Sequence, residues 1–186
     1  MDDKDMSDLT TLPHQLDAKK GTCRAIIETP KRCRNKFDYD PESNLFMVGG
    51  LLPEGMMFPF DSSFIPSTLG DDGDPLDILV FMDAPAHVGC LIEVRLVGVI
   101  SAEQIEDGKK ETNDRLLGVA IHSYDHENIE TIDDVGKTRL SQLEEFFVSY
   151  NKQRGKKFRV TGTGGPKKVI RFLKDGTKRQ KDAKKK

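Results

Sequence analysis

Asp71-Asp72-Gly73-Asp74-Pro75-Leu76-Asp77 runs directly into the apolar stretch Ile78-Leu79-Val80-Phe81, and this junction constrains the chain more than any other feature. Carboxylates crowded at the mouth of a buried strand repel one another, so a fold keeps them there when cations neutralise them or water screens them. A hard divalent ion fits: magnesium takes oxygen ligands, retains several waters, and binds through a few carboxylates together with substrate phosphates. Gly73 permits a turn that a side chain would forbid, and Pro75 biases Asp74 toward an extended backbone. Asp72 and Asp74 then project to one side while Asp77 starts the strand. An EF-hand loop is excluded, because no frame supplies both its Gly and its terminal Glu. A solvated acidic turn is the competing reading of an isolated Asp-Gly-Asp, and Asp77 weighs against it.

The rest of the chain supplies strands first and helices later. Segments Cys23–Thr29, Lys36–Tyr39, Asn44–Val48, Ile78–Met82, Leu91–Ile100 and Arg115–Ile121 have the lengths and the Gly and Pro punctuation of strands. The period then changes: Leu140, Leu143, Phe146, Phe147 and Tyr150 recur at helical spacing over 138–151, with Gly155 just beyond. A last strand at 157–161 and a last helix at about 166–174 complete the order. Strands in series predict closure, so the expected fold class is α+β, mainly β: an OB-like closed β-barrel with C-terminal helices packed on it.

A chain of 186 residues suits one domain with a real core. Residues 21–174 are expected to form it, with a flexible N-terminal segment at 1–20 and a basic disordered tail at 175–186. That tail lacks interleaved aromatics, so no nucleic-acid partner is expected. The three cysteines form no C-x-x-C pair and read as free thiols. With no signal-peptide pattern and no apolar run of membrane-spanning length, a cytoplasmic protein without a membrane partner is expected.

The pattern D-G-D-P-x-D resembles the signature of the soluble family I inorganic pyrophosphatases. Further matches follow in the family's order: Arg24-Ala25-Ile26-Ile27-Glu28-Thr29-Pro30, Asn35-Lys36-Phe37-Asp38-Tyr39-Asp40, Met56-Met57-Phe58-Pro59 and Phe64-Ile65-Pro66-Ser67-Thr68-Leu69. The likeness covers roughly residues 20 to 165 and implies the same OB-type architecture. It implies magnesium-dependent hydrolysis of pyrophosphate to two phosphates by direct attack of metal-activated water. It also implies a homo-oligomer, commonly a hexamer in short members.

By this resemblance Asp72 and Asp77 are metal ligands, and Asp74 accepts the proton of the nucleophilic water. Glu28 and Asp38 match further acidic ligand positions, Asp38 being shorter than the family's usual Glu. Lys36 matches a phosphate-binding lysine and shares a strand face with Asp38. In the segment matching the family's second acidic loop, Glu103 is the choice for the first ligand, with Glu106 or Asp107 open. The best register puts Asn113 at the second, with Asp114 beside it retained as the ligand, and Arg115 at the phosphate lysine. Tyr150 matches a substrate-binding tyrosine. Arg keeps the charge of Lys and can bind phosphate bidentately, although the two are not interchangeable.

Departures from the pattern fall on the phosphate pocket. Gly50 stands near a usual cation, Ser62 and Ser63 replace an aromatic and a glycine, and Asn151 replaces a lysine, with Lys152 and Arg154 close by. A single electrostatic stabiliser can be worth about 10²-fold in rate, so a slow enzyme is expected. The alternative is a degenerate relative that binds metal and phosphate with little turnover. His122 and His126, four apart, read as a surface pair, and Gly162-Thr163-Gly164-Gly165-Pro166 as a turn before the last helix, not a phosphate loop.

Overall fold

The computed structural model describes residues 8–185. Nine strands and three α-helices follow one another: β1 (Thr22–Thr29), β2 (Asn35–Asp40), β3 (Leu45–Leu51), β4 (Asp61–Ile65), β5 (Leu76–Phe81), β6 (Leu91–Glu106), β7 (Lys109–Thr112), β8 (Arg115–Ala120), α1 (Ile132–Val135), α2 (Lys137–Gln153), β9 (Lys157–Gly164) and α3 (Pro166–Ala183). The main sheet runs β1-β4-β5-β8-β6, and β1 pairs again with β6, so these five strands close a ring. The sheet is mixed: β5 and β8 are parallel, and the other ring pairs are antiparallel. β7 and β9 extend from β6, while β2 and β3 form a separate two-stranded sheet.

Alternation along β5 explains where the site emerges. Ile78 and Val80 join one apolar cluster, with Val94, Leu96, Leu116, Val169 and Leu173. Leu79 and Phe81 join the other, with Val97, Ile100, Leu143, Phe147 and Phe158. Side chains two apart share a strand face, so Asp77 lies on the face of Leu79 and Phe81, at the rim of the core covered by α2. Burial of each large apolar side chain stabilises this layer by about 1.5–3 kcal/mol, which fixes the strand register and therefore the direction of Asp77.

Three expectations from sequence change here. Helix α3 runs to Ala183, well past 174, because Pro166 occupies its first turn and Val169, Leu173 and Gly176 are buried. Residues 175–183 are therefore helical and not a disordered tail: Arg179 donates to Leu69 O at 2.8 Å and pairs with Asp71 at 3.3 Å, holding the chain that leads into the acidic turn. At the other end, residues 1–7 lie outside the described residues, but 8–20 are pinned. Leu9 N donates to Tyr39 Oη at 3.0 Å, Ser67 N to Thr10 O at 2.7 Å, and Arg24 N to His14 O at 2.7 Å. His126 is buried, 8% exposed, its Nδ1 within 3.1 Å of Ser123 Oγ, so it anchors a turn and is not half of a surface pair. Strands β4 and β7 and helix α1 carry too little apolar pattern to be read in advance. Among the described residues the cysteines are free, and no helix is long and apolar enough to cross a membrane.

Candidate active site

A cleft of about 450 Å³ opens at the rim of β5, and the predicted residues Glu28, Lys36, Asp38, Asp72, Asp74, Asp77, Arg115 and Tyr150 all line it. Three separate segments bring the carboxylates together: β1 carries Glu28, β2 carries Lys36 and Asp38, and the 72–77 turn carries the aspartates. Gly73, at φ +92°, makes that turn, a conformation that glycine adopts at little cost. Asp72 Oδ1 accepts from Asp74 N at 3.2 Å, and Gly70 N donates to Asp74 O at 2.7 Å, closing the turn on itself.

The electrostatics follow from crowding. Burial and the neighbouring Asp77 push the Glu28 carboxyl up to about 8, against a partly compensating hydrogen bond from Tyr39 N. Asp74 is raised by burial and then by Asp72 and Asp77. Burial raises Asp77 too, opposed by the Arg115 guanidinium paired with it. Lys36 is paired with Asp38 on the same face of β2. Carboxylates that destabilise one another in this way are an arrangement that a hard cation relieves. Among the described residues no three His, Cys, Asp or Glu groups already stand at ligating distance. The fit to magnesium therefore rests on the donor chemistry: oxygen-only side chains, raised toward protonation, around a cleft with room for water and phosphate.

Two predicted ligands fall elsewhere. Glu103 is directed away from the cleft and pairs with Lys110 at 3.5 Å. Asp114 Oδ1 accepts from Ala102 N at 3.0 Å, and the residue borders a separate pocket of about 130 Å³. Their sequence neighbours Gln104 and Asn113 line the cleft instead. Asn113 Nδ2 donates to Gln104 Oε1 at 2.7 Å, leaving Asn113 Oδ1 buried without a partner. Charge favours Glu103 and Asp114, but strand alternation decides otherwise, since a shift of one residue reverses the face. The signal was present: Asn113 and Arg115 are two apart and share a face, whereas Asp114 does not.

The remaining cations do not simply replace what the sequence lacks. Asn151 is 3% exposed and its Nδ2 donates to Phe147 O at 2.9 Å, turning the amide into its own helix. Arg154 and Lys156 line the cleft, and sequence reasoning passed over Lys156 because it reaches the cleft only when β9 meets α2. Lys156 pairs with Glu106 at 2.9 Å. Tyr150 stacks on Phe146, ring planes 8° apart, and its hydroxyl pairs with Arg154. Lys152 is exposed and does not line the cleft.

Comparison with known proteins agrees with this geometry. The family model for inorganic pyrophosphatase matches residues 25–181. A curated inorganic pyrophosphatase from Synechocystis is 33% identical over 174 residues, covering 94% of this chain and 99% of that one. The crystal structure of inorganic pyrophosphatase from Thermus thermophilus superposes with a TM-score of 0.84 at 30% identity, covering 94% of this chain and 99% of the other. An inorganic pyrophosphatase from Helicobacter pylori gives a TM-score of 0.81 at 29% identity, over 91% and 98% of the two chains. The chain therefore belongs to the inorganic pyrophosphatase family and is, by homology, an inorganic diphosphatase.

Proposed function

We propose that this chain hydrolyses inorganic pyrophosphate to two phosphates by direct attack of water, with magnesium as its metal and no covalent enzyme intermediate. The observation that carries the reading is the convergence of Glu28, Asp38, Asp72, Asp74 and Asp77 on one cleft, with Lys36 and Arg115 among them and paired with Asp38 and Asp77. Asp72 and Asp77, with Glu28 and Asp38, would hold the ions. Bound magnesium supplies charge neutralisation of the phosphates and a lower pKa for attacking water. The chain's own residues do the rest. Asp74, raised by burial and by neighbouring carboxylates, accepts the proton of the attacking water. Its elevated pKa brings it nearer the operating pH, where general bases work best. Lys36 and Arg115 bind phosphate oxygens, and release from Asp38 and Asp77 accompanies binding, since each cation now pairs with a carboxylate. Tyr150, fixed by Phe146 and Phe58, donates its hydroxyl to a phosphate oxygen.

One observation favours a second reading, a relative that binds metal and phosphate with little turnover. The Gln104–Asn113 pair puts neutral amides where the resemblance implies an acidic loop. Phosphate release from pyrophosphate, measured with and without magnesium for the natural chain and Asp74→Asn, separates the two. Magnesium-dependent release lost in Asp74→Asn supports hydrolysis; binding of both ligands without release supports the second reading.

A homo-oligomer in a cytoplasmic setting completes the proposal, with a hexamer as the family likeness suggests. Exposed Leu45, Met47 and Val48 on β3 offer apolar surface of the kind that subunit contacts cover, and free thiols suit a reducing compartment. Sedimentation of the purified chain gives the assembly directly.

A further inference from the structure

A second cleft, about 260 Å³, adjoins the first and shares Lys36, Tyr150 and Arg154 with it. The residues that line it alone are of a different kind: Gly49, Gly50, Leu51, Leu52 and Pro53, with Gln153 the polar exception. A diphosphate alone needs cations and has no use for apolar walls. Leu51 nevertheless presents a side chain that is 65% exposed at this edge.

The two glycines owe their identity to different causes. Gly49 is bulged out of the β2–β3 ladder, whose register shifts there, and a Cβ on it would run into the Asp38 carboxylate. A side chain at 49 would have to displace that carboxylate. Gly50 is in register with Lys36, and a Cβ on it would meet only Lys36 Cβ, at 3.9 Å. No crowding requires glycine at 50, yet its bare backbone is what keeps the second cleft open. A glycine inside a strand often marks the close approach of a ligand to the backbone. Lys36 and Gly50 face each other across the β2–β3 pair and both line the second cleft, so a ligand seated there lies over the bare backbone at 50 with a cation at its side.

We infer that the second cleft receives an organic group esterified to a diphosphate, with a nucleoside 5′-diphosphate as the representative substrate class. This deepens the pyrophosphatase reading and rests on it. Lys36 and Arg154, on the border between the clefts, take the phosphate nearest the ester, while the organic group lies over Gly50 and against Leu51 and Pro53. An apolar enclosure with a few placed polar groups is the usual make-up of a small-molecule subsite. In hydrolysis, water attacks the terminal phosphorus and the bond from that phosphorus to the bridging oxygen breaks. The bridging oxygen leaves on the nucleoside monophosphate, and orthophosphate and a proton are the other products.

Binding of two unreactive analogues tests this in magnesium buffer by calorimetry: methylenediphosphonate, and adenosine 5′-(α,β-methylene)diphosphate, which adds the nucleoside. The natural chain is expected to bind the nucleoside compound at least as tightly as the bare one. Gly50→Trp, filling the second cleft, is expected to weaken the nucleoside compound by about tenfold or more, the scale on which pockets discriminate small apolar groups. Because Gly50 adjoins the phosphate-binding Lys36, binding of methylenediphosphonate is expected to weaken by a clearly smaller factor in Gly50→Trp and to stay within about twofold in Leu51→Ser. Leu51→Ser should act in the same direction by a smaller factor, which guards against a Gly50→Trp chain that does not fold. If methylenediphosphonate binds and the nucleoside compound does not, or if the substitutions weaken both alike, the organic subsite is wrong and the phosphate site stands. If neither compound binds the natural chain, both readings fall.

Discussion

The two walls of the main cleft differ in charge although they face the same space. One wall, from β1, β2 and the 72–77 turn, is crowded with carboxylates, and burial, then the neighbouring carboxylates, raises Glu28, Asp74 and Asp77 toward protonation. The opposite wall, where β6 faces the segment joining β7 to β8, presents Gln104 and Asn113 as a hydrogen-bonded amide pair. Gln104 and Asn113 add no charge of their own beside Arg115, which shares the face of Asn113, and phosphoryl transfer depends almost wholly on positioning and charge. The contrast teaches that membership in an enzyme family and the strength of its site are separate properties of this chain: the fold aligns every wall, and single side chains decide which of them carry charge.

The sharpest break in that contrast is on the acidic wall. Asp74→Asn keeps the shape of the turn and removes the proton acceptor, and is expected to lower phosphate release by about 10³-fold, within the range of general-base losses. Unchanged release would remove Asp74 from the mechanism.

Restoring charge to the neutral wall should act in the opposite direction. Gln104→Glu with Asn113→Asp is expected to raise kcat/KM at limiting magnesium by about 10–100-fold, the scale on which groups around a metal tune its binding. A titration of magnesium in both chains checks it, and a rate that falls would mean that the amides themselves serve the site.

Protonation gives a third test, confined to the acidic wall. Glu28 goes from an ordinary value of 4.5 to about 8 in the folded chain, so between these values the folded state holds a proton that the unfolded state has released. Stability of the metal-free chain is therefore full below the lower value and is lost as pH rises through the upper one, with a slope approaching about 1.4 kcal/mol per pH unit. Denaturant unfolding at pH 5 and pH 8 should show the loss, Glu28→Gln should flatten it, and added magnesium should offset it. A Glu28→Gln chain with the same pH slope would assign the effect to other groups.

The smallest effect is expected outside both walls. Glu103→Gln should change turnover by less than about twofold and stability by no more than about 0.5 kcal/mol, as for surface substitutions generally. A large loss in phosphate release would return Glu103 to the site.

Much of the acidic wall could be read from local pattern. Gly73 and Pro75 shape the turn, Asp77 abuts an apolar run, and Lys36 and Asp38 are two apart on one strand, so short-range geometry alone orients them. The neutral wall could not be read so directly, because β6 is buried on both faces from Val97 to Ile100 and its alternation gives no clue to which of residues 103 and 104 faces the cleft. The spacing of Asn113 and Arg115 held that information, but the attraction of a charged residue for a metal role masked it. The C-terminal helix was cut short for a related reason: a Lys-rich segment resembles a solvated tail unless Gly176 and Arg179 are seen packed against residues 68–71.

By itself the sequence determined the strand-then-helix order, the acidic turn at the mouth of β5 and most of the charged residues that line the cleft, because each depends on neighbours a few positions apart. Only the tertiary structure decided that Gln104 and Asn113 face the cleft in place of Glu103 and Asp114, that Arg115 starts out paired with Asp77, and that Gly50 opens a second cleft. Those facts depend on which faces of distant strands meet when the ring closes, and the pairing of strands far apart in the chain is not written in any local window.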